Sequence, residues 1–386
     1  MLTVLLTVSC VYPYTPDIQD SGSGHLVVEG DIIIGKVCSF NFSCIRPIGS
    51  NRFNMPVISG VWVEDGKGKT YPGRDVTVDN GYSAYTATTF TVDLTDAPQD
   101  GTYSLRFKDG DGTMYYSEPS SVKNACKITG MGHHFDDEYM YFTVSLSGAK
   151  GNNYKISWNE DWEYHAQYQA TSKYIPPGNS LPASFMETGM MVPISMDESD
   201  FRCWGKASSM HILTVSTAGL ESGNLTDFNF LTMPVNSLKL SCIYAVEIVI
   251  RGISEDAMAY LENVEELSAP KADLFTPTPS MVRGNIRNSL DEDELIIGYV
   301  GVGMETRQRH FAYASADLRR YRYPAEEYDM KSGTSPSDWY ELYMSGYLPL
   351  GGDDQMGYNW VPARCVDCTS NGGTKMKPDF WPDQDE

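Results

Sequence analysis

Apolar and polar residues alternate with a period of two through much of this chain, and that pattern restricts it to strands with one buried face. Tyr103, Leu105 and Phe107 alternate with Ser104, Arg106 and Lys108, and Tyr244, Val246, Ile248 and Ile250 share one face of a longer run. Residues 26–32, 61–64, 141–146, 154–158, 211–215, 295–300 and 309–314 read as further strands. Asp65-Gly66 and Asp109-Gly110-Asp111-Gly112 supply the turn residues of hairpins. A helical period appears once, over 255–267, where Ala257, Tyr260, Leu261, Val264 and Leu267 fall on one face. Ser254 is placed to cap that helix and Pro270 to stop it.

The pattern predicts a mainly β protein. With 386 residues, more than one core is expected. Residues 25–125 read as an immunoglobulin-like β-sandwich, with Asp100-Gly101-Thr102-Tyr103 as its tyrosine corner. Residues 126–386 read as a larger β-rich domain with one clear helix and a loop-rich C-terminal segment. Residues 171–209, rich in Pro, Gly, Ser and Met, are expected to be a long excursion.

Residues 1–9 read as the remnant of a lipoprotein signal. A short apolar run ends at Cys10, and residues 10–24 form a polar tether with two prolines. The run is too short to span a bilayer. No Lys or Arg precedes Cys10, and Thr7 stands where an aliphatic residue is usual, so the true start is expected upstream. Cys10 is the expected lipidation site, and acyl chains are the expected membrane attachment. The net charge of −22 opposes nucleic-acid phosphates and anionic membrane surfaces alike.

If Cys10 is acylated, seven cysteines remain, so at least one thiol has no partner within the chain. Cys38 with Cys44 is one candidate disulfide; Cys365 and Cys368 are candidates to bond each other or Cys203. Cys365-x-x-Cys368 precedes a loop sequence and has no second pair, which argues against a redox motif and a zinc ribbon. His133-His134, with Asp136, Asp137 and Glu138, reads as a solvated loop; adjacent histidines on a strand face opposite ways and do not share an ion. No metal or cofactor is expected. Trp339, Tyr340, Tyr343, Tyr347, Tyr358 and Trp360 form an aromatic supply suited either to contact with a ligand or partner, or to packing a loop-rich core. Asp338 and Glu341 are a weak candidate carboxylate pair for glycoside hydrolysis.

Several stretches together resemble a family of Gram-negative, Bacteroidota-type outer-membrane lipoproteins, domain of unknown function 4249. They are Leu26-Val27-Val28-Glu29-Gly30, Tyr115-Tyr116-Ser117-Glu118, Trp158-Asn159-Glu160-Asp161-Trp162-Glu163, Cys203-Trp204, and the crossing 274–286 with Ile297-Gly298-Tyr299 behind it. Cys365-Val366-Asp367-Cys368, Gly372-Gly373-Thr374 and Lys377-Pro378-Asp379-Phe380-Trp381 complete the set. Asp161 stands where the family leads us to expect Thr. The resemblance implies an accessory outer-membrane lipoprotein of a TonB-dependent receptor, with an immunoglobulin-like first domain and a larger β domain. The first reading of the chain is then a lipid-anchored, non-enzymatic partner of a TonB-dependent importer barrel, with a peptide or glycan as the expected ligand. Two other classes stay open: a fimbrial or adhesin-type surface lipoprotein, whose mark is an open strand groove, and a glycan-directed hydrolase, whose mark is two carboxylates meeting in a cleft.

Overall fold

The structure, a computed structural model, describes residues 24–45, 56–78, 87–148, 150–268, 282–314 and 328–383. Cys10, the tether through residue 23, Pro270 and most of the crossing 274–286 lie outside the described residues. The fold is mainly β, and antiparallel pairing dominates. No helix among the described residues is long and apolar enough to cross a membrane.

The chain divides into two compact units. Unit 1 holds residues 1–122 and 277–302; unit 2 holds 123–276 and 303–386. Sequence patterning places everything after 125 in one domain. Alternation marks strands but does not name their partners, so it could not show that 277–302 returns to unit 1.

Unit 1 is a curled antiparallel sheet. Its strands run in the order Leu26–Glu29, Val37–Cys44, Thr88–Asp93, Thr70–Asp75, Ile58–Asp65, Thr102–Asp109, Met114–Ser117 and Ile286–Asn288. Alternation delivers Phe40, Phe42, Val63, Leu105 and Phe107 to one interior, where each is at or near zero exposure. The Phe42 and Phe107 rings meet edge-on at 4.9 Å, and Phe107 stacks on Tyr115 at 5.0 Å. The Tyr103 hydroxyl donates to the Pro98 carbonyl at 2.6 Å.

The returning segment covers both edges of this sheet. Ile286–Asn288 pairs with Met114–Ser117 at one end. At the other, the Val28 N–H donates to the Ile297 carbonyl at 2.8 Å and the Ile297 N–H to the Leu26 carbonyl at 2.9 Å. Two glycines permit the close approach of this segment to itself and to Val28. A Cβ on Gly284 would sit 1.6 Å from the Gly298 carbonyl oxygen; one on Gly298, at φ +124°, would sit 2.0 Å from that of Val28. We expect Gly298→Ala to destabilise unit 1 by about 1–3 kcal/mol, read as a lowered thermal midpoint; an unchanged midpoint would contradict this packing.

Unit 2 packs two sheets around its main core. One sheet orders Arg202–Ser208, Asn153–His165, Ile243–Ile253 and Glu305–Tyr313; the other orders Lys127–Phe135, Tyr139–Ser147 and Asn224–Pro234. Tyr154, Ile156, Tyr244, Val246, Ile248 and Ile250 meet Met140, Phe142 and Val144 between them. The expected helix forms over Glu255–Ser268, and Ser254 Oγ accepts from the Ala257 N–H at 3.1 Å. The excursion contains a small hairpin, Ser172–Ile175 with Met190–Pro193, and the edge strand Arg202–Ser208.

The C-terminal segment is more regular than its sequence suggested. Lys331–Gly333, Gly357–Pro362 and Tyr347–Asp353 form a three-stranded sheet. A second helix spans Pro336–Met344, with Ser335 and Asp338 forming a reciprocal capping box.

Candidate functional site

The aromatic supply is mostly a core. Trp360 is fully buried and Tyr358 nearly so, and both pack with Tyr174. Trp339, Tyr343 and Tyr347 pack against that cluster, with Trp339 edge-on to Tyr358 at 5.5 Å. Tyr340 alone of the six is exposed, at 44%. The contact-surface reading is therefore corrected for Tyr358 and Trp360. A small sheet and one short helix lack a shared core with the larger sheets, so they enclose rings of their own. The Asp338 carboxylate accepts from the Ser335 and Thr334 N–H groups at 2.9 and 3.1 Å, which commits it to the helix cap and takes it out of any acid–base pair.

The cysteines separate cleanly. Cys203 is bonded to Cys368, and Cys38, Cys44 and Cys365 keep their thiols. Cys38 and Cys44 lie at opposite ends of one extended strand, about 20 Å apart at strand rise, so a bond between them is excluded. Two successive 3₁₀ turns point Cys365 and Cys368 into different satellite cores.

His133 and His134 lie on the strand Lys127–Phe135, not in a loop. They face opposite ways as expected: His134 stacks on Tyr141, while His133 Nδ1 meets His310 Nε2 at 2.7 Å beside Phe142. Burial lowers both His133 and His310; His134 adds repulsion at His133, and His133 at His310. A histidine held below its unfolded value stays neutral in the fold while the unfolded chain takes up protons first. Its contribution is therefore intact above about pH 6.5 and declines as pH falls through that value. We expect the thermal midpoint of the unaltered chain to change less favourably between pH 7.5 and 5.5 than that of the double variant His133→Gln/His310→Gln, so that the gap between the two shifts in the variant's favour as pH falls. Equal slopes would refute the pair's role.

The densest polar arrangement is at the end of Asn153–His165. Period-two alternation puts Asp161, Glu163 and His165 on the face away from the main core. That face is covered, because residues 374–381 lie on it. Thr374 and Trp204 exchange backbone hydrogen bonds at 2.8 and 2.9 Å, Phe380 lies under the Arg309 guanidinium at 3.4 Å, and Trp381 packs with Trp204, Ile243 and Ala245. Glu163 is left with no exposed side-chain surface. Its oxygens accept from Arg202 Nε at 2.8 Å, Arg202 Nη2 at 3.1 Å and Trp381 Nε1 at 2.9 Å, and His165 Nε2 lies 3.2 Å away. Burial pushes this carboxyl up, but the bonds from His165, Arg202 and Trp381 outweigh it and hold it at about 2.

Beyond His165 stands Cys242, at the head of Ile243–Ile253. One donor atom each from Glu163, His165 and Cys242 falls within 4.8 Å of the others. The spacing would admit a cation, but both Glu163 oxygens are engaged and a guanidinium abuts them, which opposes a metal there. Burial pushes the His165 imidazole down, and its bonds to Cys242 and Glu163 more than reverse that, holding it up at about 9. The ring is positioned by Phe201, whose centroid lies 4.6 Å off at a 30° tilt. Glu163, Cys203, Trp204 and Trp381 were visible in the sequence as separate motifs. His165, Arg202 and Cys242 were not singled out as site residues; the usable signals were the two-residue offset of His165 from Glu163 on one strand face and the odd thiol.

A model of the family described as domain of unknown function (DUF4249) matches residues 11–309. No curated protein matches the chain.

Proposed function

The chain belongs to the DUF4249 family, and from that premise we propose that it is a lipid-anchored, non-enzymatic binding subunit that serves a TonB-dependent barrel of the outer membrane. The observation that carries this reading is Cys10: it ends an apolar run, a polar tether follows, and the family match begins at the next residue. Acyl chains on that sulfur would hold an acidic body that a basic patch does not attach. The ligand class remains a peptide or glycan.

Two features weigh against the other classes. The edge strands of unit 1 are covered by residues 286–297 of the same chain, which leaves strand donation without an open groove there. Asp338 serves a helix cap, which removes the carboxylate pair read from the sequence. For unit 1 we propose an immunoglobulin-like sandwich, supported by the Tyr103 corner bond and by Thr70–Asp75, which pairs with Ile58–Asp65 through its first half and with Thr88–Asp93 through its second.

Two measurements test the function. Cys10→Ser should move the protein out of the outer-membrane fraction; retention at the original level would overturn the anchor. Gentle detergent extraction should co-purify the native protein with a barrel whose own sequence carries a TonB-dependent plug. Recovery as a lone monomer would overturn the partnership.

A further inference from the structure

The order Cys242, His165, Glu163 is that of a nucleophile, a proton carrier and a group that holds the carrier in place. Glu163 is rigid, since it is wholly buried and fixed by Arg202 and Trp381. His165 is 35% exposed at its side chain, and Cys242 is half-buried, so a small reagent has access to both. The Ser241 hydroxyl lies 4.0 Å from the Cys242 sulfur. The one disulfide among the described residues does not involve Cys242, which keeps a thiol.

We infer that Cys242 is a thiol–disulfide exchange site, with His165 moving the proton and Glu163 positioning the ring. The ligand class is a small or peptide disulfide. Cys242 Sγ attacks one sulfur of it, and a new S–S bond forms as the old one breaks. The electron pair leaves on the second sulfur, which takes the proton held on His165. The proton displaced from Cys242 restores the imidazolium. One thiol and one disulfide give one mixed disulfide and one thiol, so no further oxidant enters. An imidazolium beside a thiol favours this attack, and an exported chain would meet disulfides in its compartment.

The test uses the full chain and 2,2′-dithiodipyridine, an uncharged disulfide, at pH 6, with site-resolved mass spectrometry. Cys44 is the internal reference: it is also half-buried, and burial alone pushes its thiol up. Cys242 should be labelled about tenfold faster than Cys44 or more. His165→Gln should slow Cys242 by about tenfold and leave the Cys44 rate unchanged, which a merely structural histidine would not do. Comparable rates at the two cysteines in the unaltered chain would overturn the inference without any variant. So would an undiminished Cys242 rate in His165→Gln.

Discussion

Glu163→Ala should destabilise unit 2 by about 1–3 kcal/mol, the penalty for taking a buried acceptor away from the groups that donate to it, with Arg202 itself still partly in contact with water. The loss has two sources. Arg202 keeps its charge beside a strand face that no longer neutralises it, and the buried Trp381 indole N–H loses its acceptor. Chemical denaturation followed by tryptophan fluorescence reads this, since Trp162, Trp204 and Trp381 all lie nearby. A loss under 1 kcal/mol would mean that the carboxylate is not the anchor of this face. The pH dependence is a second check. Held at about 2 in the fold against about 4.3 in the unfolded chain, the carboxylate contributes in full above about pH 4.3. That contribution disappears as pH falls toward 2, so the gap between wild type and Glu163→Gln should narrow over the same interval. His165 works in the opposite sense: raised to about 9, it stabilises fully below about pH 6.5 and ceases to do so as pH rises through 9.

Loss of the Cys203–Cys368 bond is the second large effect. The bond closes a sequence separation of 165 residues, and removing it should lower stability by about 2–5 kcal/mol. The double variant Cys203→Ser/Cys368→Ser should show this as a lower denaturant midpoint. It should also show earlier proteolysis around residues 369–383, because that segment then loses its one covalent tie to the sheet and keeps non-covalent ones such as Thr374, Phe380, Trp381 and Lys375 with Asp200. Equal midpoints with and without reductant would contradict a stabilising bond.

What could be read in advance was local. Tyr244, Val246, Ile248 and Ile250 point into one core because period-two alternation is a property of the strand itself. Ser254 caps its helix through atoms three residues away. The helix Pro336–Met344 carries the same kind of local signal, Ser335 with Asp338 and a proline between them, but its dense aromatic residues fit a contact surface and a packed core equally well in the sequence. Long-range pairings carried no such signal. His133 meets a histidine 177 positions away, and Glu163 an indole 218 positions away. Cys203 is one of two candidate partners for Cys368 in the sequence, and spacing does not choose between Cys368 and Cys365 as the partner of Cys203. The choice is made by which 3₁₀ turn faces the strand Arg202–Ser208.

Residues 286–297 supply the last pairings of a sheet whose first strand begins at Leu26. On the ribosome, the amino-terminal body must therefore wait, with two edges bare, until most of the following body has been translated. A gene fragment stopping near residue 122 should yield a sticky, incomplete sheet, whereas the same fragment given residues 282–302 as a fused or separate peptide should recover a soluble fold.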